Sequence, residues 1–388
     1  MNRPALTLFT EGGSAARAAR SRACRAAPAP ARIPRASASP PALAAAALAV
    51  LAFAAPASAG DGPKGEVLVY SASGATSAAL PLIGALERGW PGRAVVVEEW
   101  KSLDDLRGLV LSGKGDVWVG HLEAFGRAAS KGAKVTLLSV TAWKKFYFVS
   151  GPFRGPAGGG SGEPGSREDP SGPAGSAEFW PRSPGELAEL LSAERLPLYA
   201  APQSGPSTGI LSRIAQMGGP SFDARALPMQ QVLLELASGR ARAALVPEPG
   251  ASAALARNPA LRIVGSLEEE HARLAGGPAR LPHAGVAADP AFASEHPGLA
   301  RELQELMAES GKAFTAMPPS EAAGHLPKGL RDGMGEKVLA DSLSRDPIGS
   351  VNASDAVPEI ASFLCLAAAE LCSGGKLDPS FPPGFIYR

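Results

Sequence analysis

Three short turns hold the residues best suited to grip a small molecule. They are Ser71-Ala72-Ser73-Gly74-Ala75-Thr76-Ser77, Gly120-His121 and Gln203-Ser204-Gly205-Pro206-Ser207-Thr208-Gly209. Each is rich in glycine or hydroxyls and each precedes a helical pattern. Free backbone N–H groups at a helix start, with the helix dipole behind them, hold an anion or carboxylate without a counter-charge. Ser73, Thr76, Ser77, Gly120, His121, Ser204, Ser207 and Thr208 are therefore the candidate ligand residues, although any one turn reads equally well as a helix cap. Trp143 and Trp118 are candidate walls, a lone tryptophan being more commonly core or interface packing. Glu248, between two prolines, either accepts from an amine or hydroxyl of the ligand or caps the following helix. Lys144-Lys145 reads as a solvated hinge surface able to attract an anionic solute.

Two enzyme signatures are weaker. Gly205-Pro206-Ser207-Thr208-Gly209 fits G-x-S-x-G in a strand–turn–helix context, but Pro202 to Pro206 separate it from its strand. Glu248 with His271 or His283 would formally complete a triad, yet no spacing demands it. His121-Leu122-Glu123 resembles the H-x-E of zinc deaminases, and no Pro-Cys-x-x-Cys follows it. No H-E-x-x-H, Walker lysine motif or Cys/His cluster is present, so neither a metal nor a nucleotide cofactor is indicated.

The elements that must position these turns alternate strand and helix. Ser102 sits at an N-cap position, followed by an apolar stripe of Leu103, Leu106, Leu109 and Val110. Asp116 to Gly120 reads as a strand, His121-Leu122-Glu123 opens a helix that Lys131-Gly132 ends, and Val135 to Val140 is a further strand. Before them lie strand 66–70, helix 76–88 and strand 94–99. The alternation predicts an α/β fold with mostly parallel sheets. Residues 151–177 form a Gly/Pro/Ser insertion that reads as a disordered loop. Ser183-Pro184-Gly185-Glu186 has capping-box spacing with proline at the first helical position. Helices over 184–191, 208–217, 229–238 and 250–256 and strands over 198–201, 243–246 and 262–265 follow. Helices 298–316 and 357–369 come last.

The first 59 residues read as a leader. Seven arginines and one acid precede the apolar run Leu43 to Ala55, and Ala57-Ser58-Ala59 fits a cleavage site. A secretory signal with an unusually long lead, or a start codon placed too early, accounts for its length. The run is too short to span a bilayer as a mature helix, and the alternative to a cleaved leader is a permanent amino-terminal anchor. With a net charge of +1 for the whole chain, the remainder is near −5. Such a chain offers no basic stripe for nucleic acid. Cys365 and Cys372 fall in a stretch that looks helical, where seven residues rise roughly 10 Å, beyond disulfide reach. The expectation is two unbridged small residues, with a bridge requiring the helix to break between them.

The stretch from Ser102 to Ser150 resembles the periplasmic solute-binding proteins of ABC importers, of the nitrate/sulfonate/bicarbonate type. An L..G..D...G run there is followed by Thr141 to Tyr147, similar to a TxWKKFY segment that carries the chain into a second lobe. Ala75 to Leu82 resembles the family's first ligand loop and helix. Ala243 to Pro249 with Gly250 to Ala254 resembles its PEP segment, and Ala287 to Phe292 with Glu295-His296-Pro297 its returning helix. The resemblance covers roughly residues 66–315 and implies a two-lobe, type II periplasmic-binding-protein-like α/β fold with a hinge and central cleft. It divides the chain into leader (1–59), first lobe (60–141), second lobe (142–265) and a return to the first lobe with C-terminal helices (266–388). It adds Thr141 to the candidate ligand residues. It further implies a secreted protein cleaved near Ala59 that captures a small, anionic solute and passes it to a permease driven by an ATPase, touching the membrane only through them and making no bond. The alternatives are an enzyme on the same fold, dehydratase-like, and the sensing subunit of a membrane receptor.

Overall fold

A computed structural model describes residues 65–388 apart from 73, 93, 155–177 and 203–204. The expected leader, Ser73, Ser204 and most of the 151–177 insertion lie outside the described residues. The first lobe begins with β1 (Val67–Ala72), α1 (Leu80–Glu87), β2 (Val95–Trp100), α2 (Leu103–Leu111), β3 (Val117–His121), α3 (Leu122–Ser130) and β4 (Thr136–Ala142). The second holds β5 (Phe146–Ser150), β6 (Phe153–Arg154), β7 (Glu178–Phe179), α4 (Pro184–Ala193), β8 (Leu198–Ala200), α5 (Ser207–Gln216), β9 (Ala224–Ala226), α6 (Met229–Ala237), β10 (Ala243–Pro247), α7 (Gly250–Arg257) and β11 (Arg262–Ser266). After α8 (Leu267–Ala275) the chain returns with β12 (Ala284–Ala288), α9 (Pro290–Glu295), α10 (Pro297–Ala316), α11 (Pro319–Gly324), α12 (Lys328–Met334), α13 (Glu336–Arg345), β13 (Ile348–Asn352) and α14 (Val357–Ala367).

Local chemistry sets several boundaries. The Ser102 side chain accepts from the Asp105 N–H and the Ser183 side chain from the Glu186 N–H, as N-cap residues do. Glu186 reaches back to Arg182 N rather than to Ser183, so the expected capping box is only half made. A complete box forms at Ser266 and Glu269 instead. α1 starts at Leu80, not at Thr76. Pro81 lacks an N–H and fits only a first turn, which leaves Thr76 to Ala79 as a turn in front of the helix.

The first sheet has strand order β13-β4-β12-β3-β1-β2 and the second β11-β5-β10-β8-β9. β1 runs parallel to β2 and β3, and β10 parallel to β8, as expected for crossover units. The strands that carry the chain across the hinge run the other way. β5 pairs antiparallel with β10 and β11, and β12 antiparallel with β3 and β4. They begin at the edge where the home strands end: Phe146 faces Pro247, and Ala284 faces both His121 and Ala142. The sheets are therefore mixed where the alternation predicts mostly parallel ones.

Helices α1 and α10 cover one face of the first sheet, burying Val69, Leu82, Val119, Val286 and Met307. On its other face a larger core runs from Trp118 and Phe125 through Phe363 and Leu364 of α14 to Phe148 and Ile210 of the second lobe. Val149, Val232 and Ala251 form the outer core of that lobe. Cys365 and Cys372 are joined by a disulfide, which corrects the sequence expectation. α14 ends at Ala367 and the chain doubles back through a 3-10 turn, which brings the two Cα atoms to 5.5 Å, within bridging reach.

Candidate functional site

The carboxyl ends of β1, β3 and β4 form one edge of the first sheet and position four polar residues. Thr76 and Ser77, in the turn before α1, are fully buried. Ser77 Oγ donates to Asp346 Oδ2 at 2.6 Å, whereas Thr76 Oγ1 has no partner. His121 ends β3 and stands at the N-cap of α3 without making a side-chain cap. Its Nδ1 is buried and unpartnered. Burial, reinforced by His283, Lys145 and Arg107, pushes the imidazole pKa down from 6.5 to about 3, so the ring is neutral near pH 7. Thr141, near the end of β4, is fully buried with an unpartnered Oγ1.

Gly120 and Trp143 have packing explanations. A Cβ at Gly120 would lie 2.5 Å from Leu106 and 3.0 Å from Phe125, so the glycine lets α2 and α3 close on β3. Trp143 lies beneath the Arg280 guanidinium, 4.5 Å from ring centroid to carbon. It lines a groove of about 440 Å³ with Arg280, Gly311, Thr315 and Ser350. Trp118 is wholly buried, with Nε1 donating to the Lys114 carbonyl.

At the matching edge of the second sheet, Ser207 opens α5 and is fully buried with no partner for Oγ. Thr208 beside it is half-buried. A nucleophilic serine needs a base within hydrogen-bond reach, and none meets this one among the described residues. His283 is instead bonded to Glu268 at 2.6 Å. Of the two readings of Glu248, the structure gives the cap: its carboxylate accepts from the Ser252 N–H and Oγ at the start of α7. Glu248 also pairs with Arg345 Nε at 2.8 Å, across the lobes.

The hinge holds a buried polar cluster that sequence reasoning missed. Lys145, expected on a solvated surface, is 9% exposed and bonds Asp346 at 2.7 Å. Lys144 is half-buried and paired with Glu269. Glu268 accepts from the N–H groups of Lys145 and Phe146, which pins the entry to β5. Burial raises the Asp346 pKa against the lowering effects of Lys145 and Ser77. Burial likewise raises the Tyr147 phenol, with Asp346 adding to it. The only sequence signal for Asp346 is an acid just beyond a helix, which resembles any surface acid.

Cations near the crevice are matched: Lys145 by Asp346, Arg345 by Glu248, Arg107 by Glu123. Thr76 Oγ1, His121 Nδ1, Thr141 Oγ1 and Ser207 Oγ are neutral groups left without a partner. Buried polar atoms are costly unless bonded. An edge of this kind suits a small polar or anionic group held by hydroxyls, imidazole and helix-start N–H groups. Among the described residues no group of three His, Cys, Asp or Glu is placed to hold a metal.

No family model matches the sequence, and no curated protein matches it. Solved structures do. An ABC transporter protein from Parabacteroides distasonis is similar with a TM-score of 0.57 at 17% identity, over 83% of this chain and 98% of that one. The periplasmic aliphatic sulphonate-binding protein SsuA of Escherichia coli gives 0.56 at 14%, over 83% and 92%. The periplasmic nitrate-binding protein NrtA of Synechocystis gives 0.50 at 13%, over 71% and 69%. Identities this low carry the fold and nothing finer. The chain has the two-lobe α/β fold of the periplasmic solute-binding proteins of ABC importers, the fold that the sequence resemblance implies.

Proposed function

We propose that this protein is the extracytoplasmic solute-binding component of an ABC importer. It captures a small anionic solute between its lobes and delivers it to a membrane permease coupled to an ATPase. The observation that carries the reading is the set of unpartnered, buried neutral groups, Thr76, His121, Thr141 and Ser207, at the facing edges of the two sheets. Ser77, Gly120 and Thr208 belong to the turns that present them, and Ser73 and Ser204 remain candidates on the sequence alone; Trp143 and Glu248 support the hinge and α7. Among the described residues no helix is long and apolar enough to cross a membrane.

A thermal-shift panel of nitrate, bicarbonate, ethanesulfonate and carboxylates tests the reading. A ligand at a hundred times its dissociation constant adds about 2.7 kcal/mol. The expected result is stabilisation by one chemical class, with the compound recovered unchanged. Ser207→Ala should then weaken binding by about 1 kcal/mol, one neutral hydrogen bond, without lowering the stability of the ligand-free protein, because Oγ has no protein partner to lose. Chemical conversion of the compound would instead establish an enzyme on this fold.

A further inference from the structure

The end of α13 joins parts of the molecule that lie far apart in sequence. α13 belongs to the first lobe, where Leu339 and Leu343 pack with Leu80 and Phe314. Arg345 is its last residue and Asp346 its C-cap. The Asp346 carboxylate is fully buried and accepts from Ser77 Oγ at 2.6 Å and Lys145 Nζ at 2.7 Å. Arg345 Nε donates to Glu248 Oε1 at 2.8 Å and its Nη2 to Ser252 Oγ. The Arg345 carbonyl accepts from the Tyr147 hydroxyl at 2.5 Å. Two consecutive residues therefore touch the first ligand turn, the hinge, the first strand of the second lobe and the start of α7.

We propose that Arg345 and Asp346 form a clasp, a pair of positioning residues that holds the second lobe against the first and ties that closure to the Ser77 turn. The inference rests on the solute-binding reading above. The contacts divide by what a hinge motion would break. Lys145 lies in the hinge segment between β4 and β5, so its bond to Asp346 survives a rotation about that segment. Glu248 keeps its bonds to Ser252, on its own lobe, in either position. The bonds that must break on opening are those of Arg345 to Glu248, Ser252 and Tyr147. Arg345 is 30% exposed in its side chain and Glu248 not at all, so opening strips a buried carboxylate of its cation. Asp346, held by Ser77 and Lys145, fixes where Arg345 stands. A shift of the ligand turn is thereby felt at the clasp.

Distance measurements between spin labels at Ser112→Cys in the first lobe and Ser238→Cys in the second test this in the full chain carrying Cys24→Ser. Both labelled positions are exposed, and the remaining cysteines are bridged. Arg345→Met should raise the population of long distances about tenfold, the weight of one charge-assisted hydrogen bond. Arg345→Lys should fall between, keeping the charge and losing the fork. Arg240→Met removes an ion pair with Glu235 in the same lobe and should leave the distances unchanged. Wild-type distances in a folded Arg345→Met protein overturn the clasp. If that variant does not fold, Tyr147→Phe deletes a single bond to Arg345 and should shift the distances in the same direction; no shift overturns the clasp. Calorimetry with the same panel of nitrate, bicarbonate, ethanesulfonate and carboxylates separates the two readings. Opening in Arg345→Met with no solute bound by the wild type would sink the importer reading and leave the clasp; solute binding without opening would sink the clasp alone.

Discussion

Acid should destabilise this protein through His121, and the amount follows from its surroundings. The imidazole pKa falls from 6.5 to about 3 on folding, mainly because burial penalises the charged ring. The unfolded chain therefore binds a proton that the folded chain refuses between those values. In that window stability rises with pH, by about 1.4 kcal/mol per unit for one group. Above about pH 6.5 both states are neutral and the effect vanishes. At about pH 4.5, two units below the ordinary value, the loss is about 2.7 kcal/mol at most. Carboxylates titrate in the same range, so the comparison must be with His121→Gln, which keeps a polar side chain and cannot take the proton. Urea unfolding of both proteins at about pH 7 and about pH 4.5 gives the double difference. The wild type should lose up to about 2.7 kcal/mol more than the variant. Equal losses would mean that the His121 ring is hydrated or paired in solution, and the argument for a dry crevice edge would fail with it.

Four further variants probe the frame. A Cβ at Gly285 would sit 2.2 Å from the backbone oxygen of Ser139, which cannot swing aside. Gly285→Ala should cost about 3 kcal/mol or more by calorimetry, while Gly108→Ala, exposed in α2 with nothing within 4 Å, should gain up to about 1 kcal/mol. Lys145→Met strands the buried Asp346 carboxylate and should cost about 3–5 kcal/mol near neutral pH in urea unfolding. That cost should shrink on acidification, because the Asp346 pKa is raised and the group neutralises early. Replacing both Cys365 and Cys372 by alanine opens a loop of sequence separation 7 and should lower stability by about 2–2.5 kcal/mol, matched by reduction of the wild type.

Much of the frame was legible because its signals are local. Ser102 and Ser183 announce their helices through hydroxyl and spacing, and Phe146 to Val149 are hydrophobic because both faces of β5 are covered. The turns holding Thr76, His121 and Ser207 were found because helix starts after strands are visible in sequence. β13 was not, since all five of its residues are half-buried and no alternation marks them. α8 was overlooked although Ser266 and Glu269 carry a capping-box spacing. The hinge cluster was illegible for a different reason. Lys145 meets Asp346 only after the chain has passed through the second lobe and come back, and Glu268 meets His283 across that return, and nothing local separates such charges from solvated ones. The disulfide was misjudged because the end of α14 is set by the turn after Ala367, which the apolar, alanine-rich run conceals.

The place of β12 in the first sheet also dictates an order of assembly. The second sheet draws all its strands from one continuous stretch, Phe146 to Ser266. The first sheet cannot join β3 to β4 until Ala284 to Ala288 exist, because β12 lies between them. A chain growing from its amino terminus thus completes the second sheet while the first is still two fragments, β2-β1-β3 and a solitary β4. Pairing His121 with Ala284 then closes a long loop, the kind of non-local contact that slows folding. The lobe that is synthesised first is finished last, and the core shared through α14 seals only when the carboxyl end of the chain arrives.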